Sequence, residues 1–282
     1  ALAMGADGWP MVSYFNDERG LLKLARCRSD DCRDAEIKIL DESGHAGRFN
    51  SLAVGPDGRP AVSYYNQHHR DLMIALCEDP ACTAFETRVV DGAGDLGWHN
   101  ALAFGADGFP VISYFDSGKR NLKVAHCLDR DCTELEEHTV DYGGVGMGTD
   151  IQIDGEGLPV IAYWDFVNDD LKVARCGDAS CRSATIARVA SEGSVGSNPA
   201  LALGADGLPI IAYHDHTNAD LKVTQCRDPG CTEVESKAVD SDGSVGWYIS
   251  VAIGADGRPL IAYYDETNGD LKLARCGTPS CQ

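Results

Sequence analysis

The sequence predicts an all-β fold, a six-bladed β-propeller, and three observations support this prediction. A unit of about 50 residues recurs six times along the 282-residue chain. All twelve cysteines fall into C-x4-C pairs, one pair in each unit. Every unit also divides into short runs of β-branched and aromatic residues bounded by Gly, Asp and Asn, with no segment suited to a helix. Units of this length and composition are typical of propeller blades.

The third unit shows the elements of a blade in order. Strands are predicted at residues 101–104, 111–115, 122–127 and 134–140. The connection "GADG" joins the first two strands, because Asp-Gly readily adopts the positive φ of a tight hairpin turn. Pro110 is expected to open the second strand, where no hydrogen bond is required of its nitrogen. The equivalent prolines are Pro10, Pro60, Pro159, Pro209 and Pro259. Each unit is therefore predicted to be a four-stranded antiparallel meander.

Both faces of the predicted strands are apolar, as in "ALAF", "SLAV" and "SVAI". A sheet with two apolar faces needs a neighbour on each side, and blades packed around an axis supply both. A parallel β-helix is the structural alternative, but its coils are shorter and lack paired cysteines in hairpins. We predict one domain over residues 1–282, with blades at approximately 1–50, 51–100, 101–149, 150–199, 200–249 and 250–282, the last incomplete.

The last unit stops just after its cysteine hairpin, "CGTPSCQ", so its fourth strand is lacking in the sequence. Two interpretations stay open. Either the sequence is a fragment of a longer chain, or the last blade has three strands and exposes an edge. An exposed edge is a template to which a strand-completing partner can add.

The cysteine pairs are interpreted as disulfides rather than as zinc ligands. A zinc site needs four converging ligands, whereas each unit offers two cysteines and no histidine at a fixed spacing. Two cysteines that flank a short hairpin lie close enough to be bridged. The expected disulfides join Cys27 to Cys32, Cys77 to Cys82, Cys127 to Cys132, Cys176 to Cys181, Cys226 to Cys231 and Cys276 to Cys281. Such a set indicates an oxidising compartment, so we expect a secreted or cell-surface protein.

The chain is strongly acidic, with 24 basic and 44 acidic side chains and a net charge of −20. An acidic surface repels nucleic-acid phosphates and anionic lipid, so neither nucleic acid nor a membrane surface is expected as a partner. No run approaches the roughly 20 apolar residues that a membrane-spanning helix needs. The first residues, "ALAMGADGWP", already belong to unit one, and any signal sequence is expected to have been removed or left out.

The segments "PVISYFD" and "PIIAYHD", with "NADLKVTQ" after the second, resemble the blades of YWTD and NHL six-bladed propellers, in which an aromatic and Asp-containing strand follows the first hairpin. The chain also resembles exported bacterial repeat proteins that carry "YYDxxNGDLKxAxC", which implies a bacterial source. The resemblance covers all six units and implies the architecture. The sequence departs from both named groups in lacking a Trp-Thr-Asp triplet and in having a disulfide in each blade.

The candidate binding residues lie between blades and between second and third strands, where the units vary most. Variable segments on a rigid scaffold are where binding is expected. These positions are rich in aromatic side chains, which stack on sugar rings or anchor protein contacts. The candidates are Phe49, Trp98, His99, Trp164, His214, Trp247 and Tyr248. The alternative for each of them is packing of blade against blade, and the histidines of "HDH" are expected at the surface.

An enzyme is the second functional class. Asn50, Asn100 and Asp150 occupy near-equivalent positions between blades. Six-bladed hydrolases resembling gluconolactonases hold a central Ca²⁺ with Asn, Asp and Glu from different blades, and this resemblance implies that these three residues could hold Ca²⁺. No cofactor is required by any other feature. No catalytic residue is assigned, because the sequence has no G-x-S-x-G motif and its cysteines are paired.

We therefore expect an exported binding or adhesion module that recognises a glycan or a protein through its varied aromatic face, and not an enzyme. The alternatives are a propeller hydrolase with a central Ca²⁺, similar to lactonases, and an architectural subunit of a surface assembly. Because the varied positions differ between units, one composite site is favoured over six repeated ones.

Overall fold

A computed structural model describes residues 1–29, 31–279 and 281. These residues form strands, turns and bends without a helix, so the prediction of an all-β fold of six blades is confirmed. The chain divides into two compact structural units, Ala1–Thr139 and Val140–Gln282, each larger than the repeat units of the sequence. From here on, "unit" means one of these two.

In the first unit, three antiparallel sheets each have four strands in chain order. The strands are β1 (Leu2–Met4), β2 (Pro10–Asn16), β3 (Leu21–Cys27), β4 (Ala35–Asp41), β5 (Ala46–Val54), β6 (Pro60–Asn66), β7 (Asp71–Cys77), β8 (Phe85–Asp91), β9 (Leu96–Phe104), β10 (Pro110–Asp116), β11 (Asn121–Cys127) and β12 (Leu135–Asp141), the last of which ends inside the second unit.

The second unit repeats this arrangement. Its strands are β13 (Val145–Ile153), β14 (Pro159–Asp165), β15 (Asp170–Cys176), β16 (Ala184–Ala190), β17 (Val195–Leu203), β18 (Pro209–Asp215), β19 (Asp220–Cys226), β20 (Val234–Asp240), β21 (Val245–Ile253), β22 (Pro259–Asp265) and β23 (Asp270–Arg275). β13–β16 and β17–β20 form four-stranded sheets. Among the described residues the last sheet, β21–β23, has three strands, as expected.

The turns that precede the prolines have the predicted chemistry. In the third blade, Gly108 adopts a φ of +82°, which favours glycine. The Asp107 carboxylate accepts the backbone N–H of Phe109 at 3.0 Å and so closes the turn. The next strand begins at Pro110, as predicted.

All six predicted disulfides are present, with Cα atoms 4.5 to 4.8 Å apart. Five of them close the hairpin between the third and fourth strands of a blade, and Cys276–Cys281 follows β23. The described residues include no free cysteine. This set of disulfides indicates an oxidising environment. Within the same residues, no helix has the length and apolar character required to cross a membrane.

The first strand of each complete blade after the first is longer than predicted. β9 begins at Leu96, whereas the sequence predicted a start at residue 101. Two register shifts against β10 mark a β-bulge within the added segment. Gly97 has a φ of +96° there, and a Cβ on it would lie 2.8 Å from Leu72 Cα. The segments predicted as loops between blades are therefore part of the sheets, and pairing holds their side chains in fixed directions.

Neighbouring blades share apolar cores and a repeated polar contact, called here the Tyr–Asp contact. Fully buried Tyr114 of β10 donates its hydroxyl to the Asp91 carboxylate at the end of β8, at 2.7 Å. Lys123 of β11 forms an ion pair with the same carboxylate. Burial alone would raise the pKa of Asp91, but the bonds from Lys123 and Tyr114 outweigh it and lower the pKa. The other Tyr–Asp contacts join Tyr64 to Asp41, Tyr163 to Asp141 and Tyr263 to Asp240.

Candidate functional site

The candidate site lies on the first strands of the blades in the second unit. β13 contacts β17, and β17 contacts β21. Each of these strands has a bulged segment in which two residues take a positive φ. The first is a glycine in every case, and the second is Gly148 (+61°), Asn198 (+49°) or Tyr248 (+51°). Positive φ is strained for a residue other than glycine, and such strain is often found at functional sites. Tyr248 is also 79% exposed, so its strained backbone presents a tyrosine to solvent.

A cluster of aromatic and histidine rings lies beside these bulges. The Trp247 ring is 4.4 Å from the His214 ring and 5.0 Å from the His216 ring, and Trp164 is 6.2 Å from His216. The structure thus brings together three of the predicted binding residues, Trp164, His214 and Trp247. Together with His216 they form the Trp–His cluster, which consists of Trp164, His214, His216 and Trp247.

His214 is buried, so the expectation that both histidines of "HDH" lie at the surface is wrong for this residue. Its Nδ1 atom lies 2.7 Å from the carbonyl oxygen of Val245 and, because a carbonyl only accepts, must carry the proton. Burial lowers the pKa of His214, which keeps the ring neutral near pH 7. His214 is therefore the buried member of the cluster.

Polar groups border the same rings. The Nε2 atom of exposed His216 is 2.9 Å from Ser197 Oγ. The indole N–H of Trp164 is buried and has no hydrogen-bond partner among the described residues. An unpaired buried donor costs about 1–3 kcal/mol, and an oxygen atom of a ligand would relieve this cost. Aromatic faces with hydrogen-bonding groups beside them are suited to sugar rings.

Asp150 on β13 is the acidic residue of this region. Its carboxylate accepts the backbone N–H of Leu201 at 2.7 Å and that of Ile151 at 2.9 Å. Burial raises the pKa of Asp150 to about 6 in spite of these bonds. The side chain is nevertheless only partly buried. Asp150 is the sole acidic side chain among the described residues of β13, β17 and β21, and near pH 6 it holds a proton much of the time.

A second carboxylate lies near the Trp–His cluster. Glu266 is exposed and accepts a hydrogen bond from Ser244 Oγ at 2.9 Å. The Trp247 indole N–H donates to the same Ser244 oxygen at 3.3 Å. The negative charge of Glu266 is also close enough to influence the pKa of His214. The second unit therefore has one carboxyl with a raised pKa, Asp150, and one exposed carboxylate, Glu266, which is linked to Trp247 through Ser244.

The asparagines proposed as metal ligands already have partners. The Asn50 side-chain oxygen accepts from Ser13 Oγ at 2.6 Å, and its amide nitrogen donates to Gly47 at 2.9 Å. Asn100 makes the same bonds to Ser63 and Gly97. Both amides link neighbouring blades. No group of three or more His, Cys, Asp or Glu suited to a metal ion occurs in the part of the chain that the structure describes. Binding of Ca²⁺ by these residues and Asp150 stays a prediction.

The first unit has its own aromatic group. The Phe49 ring lies 5.4 Å from Trp98 and 4.4 Å from His99, so three more predicted residues are in contact. The Asp95 carboxylate accepts from the Trp98 indole N–H and from the Tyr65 hydroxyl, both at 2.8 Å. Burial lowers the pKa of His99 to about 4.

The sequence analysis did not select five residues of these two regions, Tyr65, Asp95, Ser197, Ser244 and Glu266, and it treated His216 only as a surface histidine. Their positions in the sequence could have identified them, because each lies within or beside a segment already recognised as variable.

Comparison with solved structures finds similar folds among enzymes. The chain is similar to an α-L-arabinofuranosidase from Lactobacillus brevis, with 15% identity, 79% of this chain and 85% of the enzyme covered, and a TM-score of 0.50. It is also similar to an exo-β-1,3-galactanase from Phanerochaete chrysosporium solved with β-1,3-galactotriose, with 10% identity, 83% of this chain and 61% of the enzyme covered, and a TM-score of 0.53. For an exo-β-1,3-galactanase from Clostridium thermocellum the identity is 11%, the coverage is 83% of this chain and 59% of the enzyme, and the TM-score is 0.50. The chain thus spans about three fifths of the two galactanases.

These neighbours contradict the sequence-based expectation of a binding or adhesion module, because the similar structures are those of glycoside-cleaving enzymes. At 10 to 15% identity the similarity itself shows the fold. No protein-family model and no curated protein matches the sequence. The six-bladed architecture is confirmed, whereas the resemblance to YWTD and NHL blades stays a prediction.

Proposed function

We propose that the protein is a glycan hydrolase in which Asp150 donates the proton to the leaving oxygen. Cleavage of a glycosidic bond needs a carboxylic acid that is still protonated at the working pH. The observation that carries the proposal is the partly buried Asp150 carboxyl, whose pKa is raised by burial to about 6. The arabinofuranosidase and galactanases of similar fold support glycosidic bonds as the substrate class.

In this proposal the Trp–His cluster binds the sugar. Trp164 and Trp247 offer aromatic faces for stacking, and the unpaired Trp164 N–H donates to a sugar oxygen. Glu266 is assigned the role of the second carboxylate, which acts on water or on the anomeric carbon. Ser244 orients this carboxylate through its hydroxyl.

We also infer that the protein works outside the cytoplasm, on glycans of a cell surface or of the surroundings. The six disulfides support an oxidising location. A bacterial source rests on the sequence resemblance alone.

The test is a reducing-sugar assay of the purified protein on β-1,3-galactan, arabinan and xylan, and on aryl glycosides. The Asp150→Asn variant keeps an oxygen acceptor for Leu201, loses the acceptor for Ile151 and cannot donate the proton, so kcat/KM should fall by roughly 100-fold or more while circular dichroism stays that of the wild type. Glu266→Gln should lower it similarly. Asp206→Asn, in a turn of the scaffold, is the matched control and should change little.

The pH profile has a defined sign. Because the acid must be protonated, kcat/KM of the wild type should fall as the pH rises through about 6. Absence of cleavage on every substrate, or an Asp150→Asn variant with undiminished activity, would refute the proposal.

A further inference from the structure

Among the described residues of blades two to six, one Tyr–Asp contact is absent, and its place is a pocket. In four blades the tyrosine of the second strand bonds to an aspartate at the end of the preceding blade's fourth strand. In the fifth blade that aspartate is replaced by Ala190, the last residue of β16. The tyrosine itself, Tyr213, is retained and is 1% exposed. The apolar methyl group of Ala190 cannot accept the hydrogen bond that the aspartate accepts elsewhere.

The groups that normally hold the aspartate are still in place. The Tyr213 hydroxyl has Thr224 Oγ1 as a distant partner, at 3.4 Å. Lys222 forms an ion pair with Asp215 at 3.0 Å. In the blades on either side, the equivalent lysine pairs with two carboxylates: Lys172 with Asp141 and Asp165, and Lys272 with Asp240 and Asp265. The fifth blade therefore lacks one negative charge relative to its neighbours.

The space that the aspartate side chain fills in the other blades is here a solvent-accessible pocket of about 300 Å³. It is lined by Ala190, Tyr213, Lys222, Ser236, Arg188 and Glu192, among others. This volume is at the lower end of the range for ligand sites and accommodates a small organic acid or one sugar ring. Asp150 is not among the residues that line this pocket.

We propose that this pocket binds a small carboxylate, which takes the position of the missing aspartate between Tyr213 and Lys222. A buried phenol and an ammonium group are the two donors that hold a carboxylate in the neighbouring blades. Arg188 adds a further donor at the rim, where it also faces Asp170 at 3.6 Å, whereas the Ser236 hydroxyl is taken up by Thr224 Oγ1 at 2.6 Å. Glu192 at the same rim disfavours a second negative charge, so the ligand carries one carboxylate. The inference is independent of the proposed glycan hydrolysis.

The test is thermal unfolding of the intact protein in the presence of acetate and, separately, of glucuronate. A ligand that binds only the folded state raises the midpoint in a saturable manner. Acetamide, which is neutral and of similar shape, and sodium chloride at equal ionic strength are the controls. We expect acetate or glucuronate to raise the midpoint by several degrees and both controls to leave it nearly unchanged. A larger response to glucuronate identifies an acidic sugar as the ligand, and a response to acetate alone identifies a free acid.

Ala190→Asp supplies the missing carboxylate within the chain. This variant should have a higher midpoint without ligand and should no longer respond to acetate. Asp141→Ala removes the corresponding aspartate, which ends the third blade and pairs with Tyr163 of the fourth, and should create a second acetate response. Should Ala190→Asp not fold, Tyr213→Phe and Lys222→Met replace it, and each should weaken acetate binding by about 10-fold or more. An equal response of wild type and variants, or of acetate and chloride, would overturn the proposal.

Discussion

Removal of one aspartate from a Tyr–Asp contact measures what that contact contributes to the fold. Asp91→Ala is the sharpest case, because Asp91 is 3% exposed and accepts from both Tyr114 and Lys123. The substitution leaves the buried Tyr114 hydroxyl without its acceptor, at a cost of about 1–3 kcal/mol. It also leaves Lys123 with one carboxylate, Glu137 at 3.2 Å. Loss of a buried partner costs about 3–5 kcal/mol when the remaining charge is unpaired, which sets an upper limit.

We therefore expect Asp91→Ala to lower the free energy of unfolding by about 3 kcal/mol. Tyr114→Phe removes only the hydroxyl and should lower it by about 1 kcal/mol, since Asp91 keeps Lys123. The double variant should show a coupling of about 1–2 kcal/mol between the two residues. The measurement is urea denaturation with intact disulfides, followed by tryptophan fluorescence and circular dichroism.

The matched control is Asp17→Ala, an aspartate of the same unit whose side chain is 79% exposed and which pairs with Arg48 at 3.2 Å. An exposed ion pair contributes about 0–1 kcal/mol, so this variant should be close to the wild type. If Asp91→Ala costs no more than Asp17→Ala, the Tyr–Asp contact does not stabilise the interface between blades, and the reasoning behind the carboxylate pocket fails with it.

Two further predictions concern acid and backbone strain. The free energy of unfolding should fall as the pH drops below about 4. Lysine and tyrosine partners lower the pKa values of Asp91 and Asp240 in spite of burial, and the stability that these carboxylates add is lost as they protonate. Urea titrations at pH 3 and pH 7 test this, and equal stabilities would contradict it. Tyr248→Gly should raise the free energy of unfolding by about 1 kcal/mol through relief of the positive φ. Asn198→Gly should gain less, because asparagine tolerates that conformation, and a loss of stability in both would count against strain at the bulges.

The repeating parts of the fold were predictable from local chemistry. Asp-Gly turns, prolines at strand starts and C-x4-C hairpins each depend on a few consecutive residues. Pro110 and Gly108 could therefore be placed correctly without knowledge of their neighbours in space. The two apolar faces of the strands then required blades on both sides, which gave the architecture.

The bulged starts of the first strands could not be predicted in this way. The segment that begins at Leu96 contains Gly97 and His99, both with positive φ, and such residues are typical of loops. It joins the sheet only because Gly97 allows the backbone to approach Leu72 of the previous blade. The partner of Asn100 was equally hidden, since Ser63 lies 37 residues away in sequence. Contacts of this kind depend on tertiary packing, which no local pattern encodes.

Both proposals arise from positions at which one blade departs from the others. Ser51 in the second blade accepts the N–H of Leu102 in the next blade, and Asp150 makes the equivalent bond to Leu201 with a carboxylate. A serine is sufficient for this structural bond, so the carboxylate adds an ionisable group that the scaffold does not require. Ala190 is the opposite case, because it removes a carboxylate that the scaffold uses elsewhere. In a repeat protein the equivalent residues of the other blades are internal controls for each position. A residue that adds a charge or removes one against that background is explained better by a ligand than by folding.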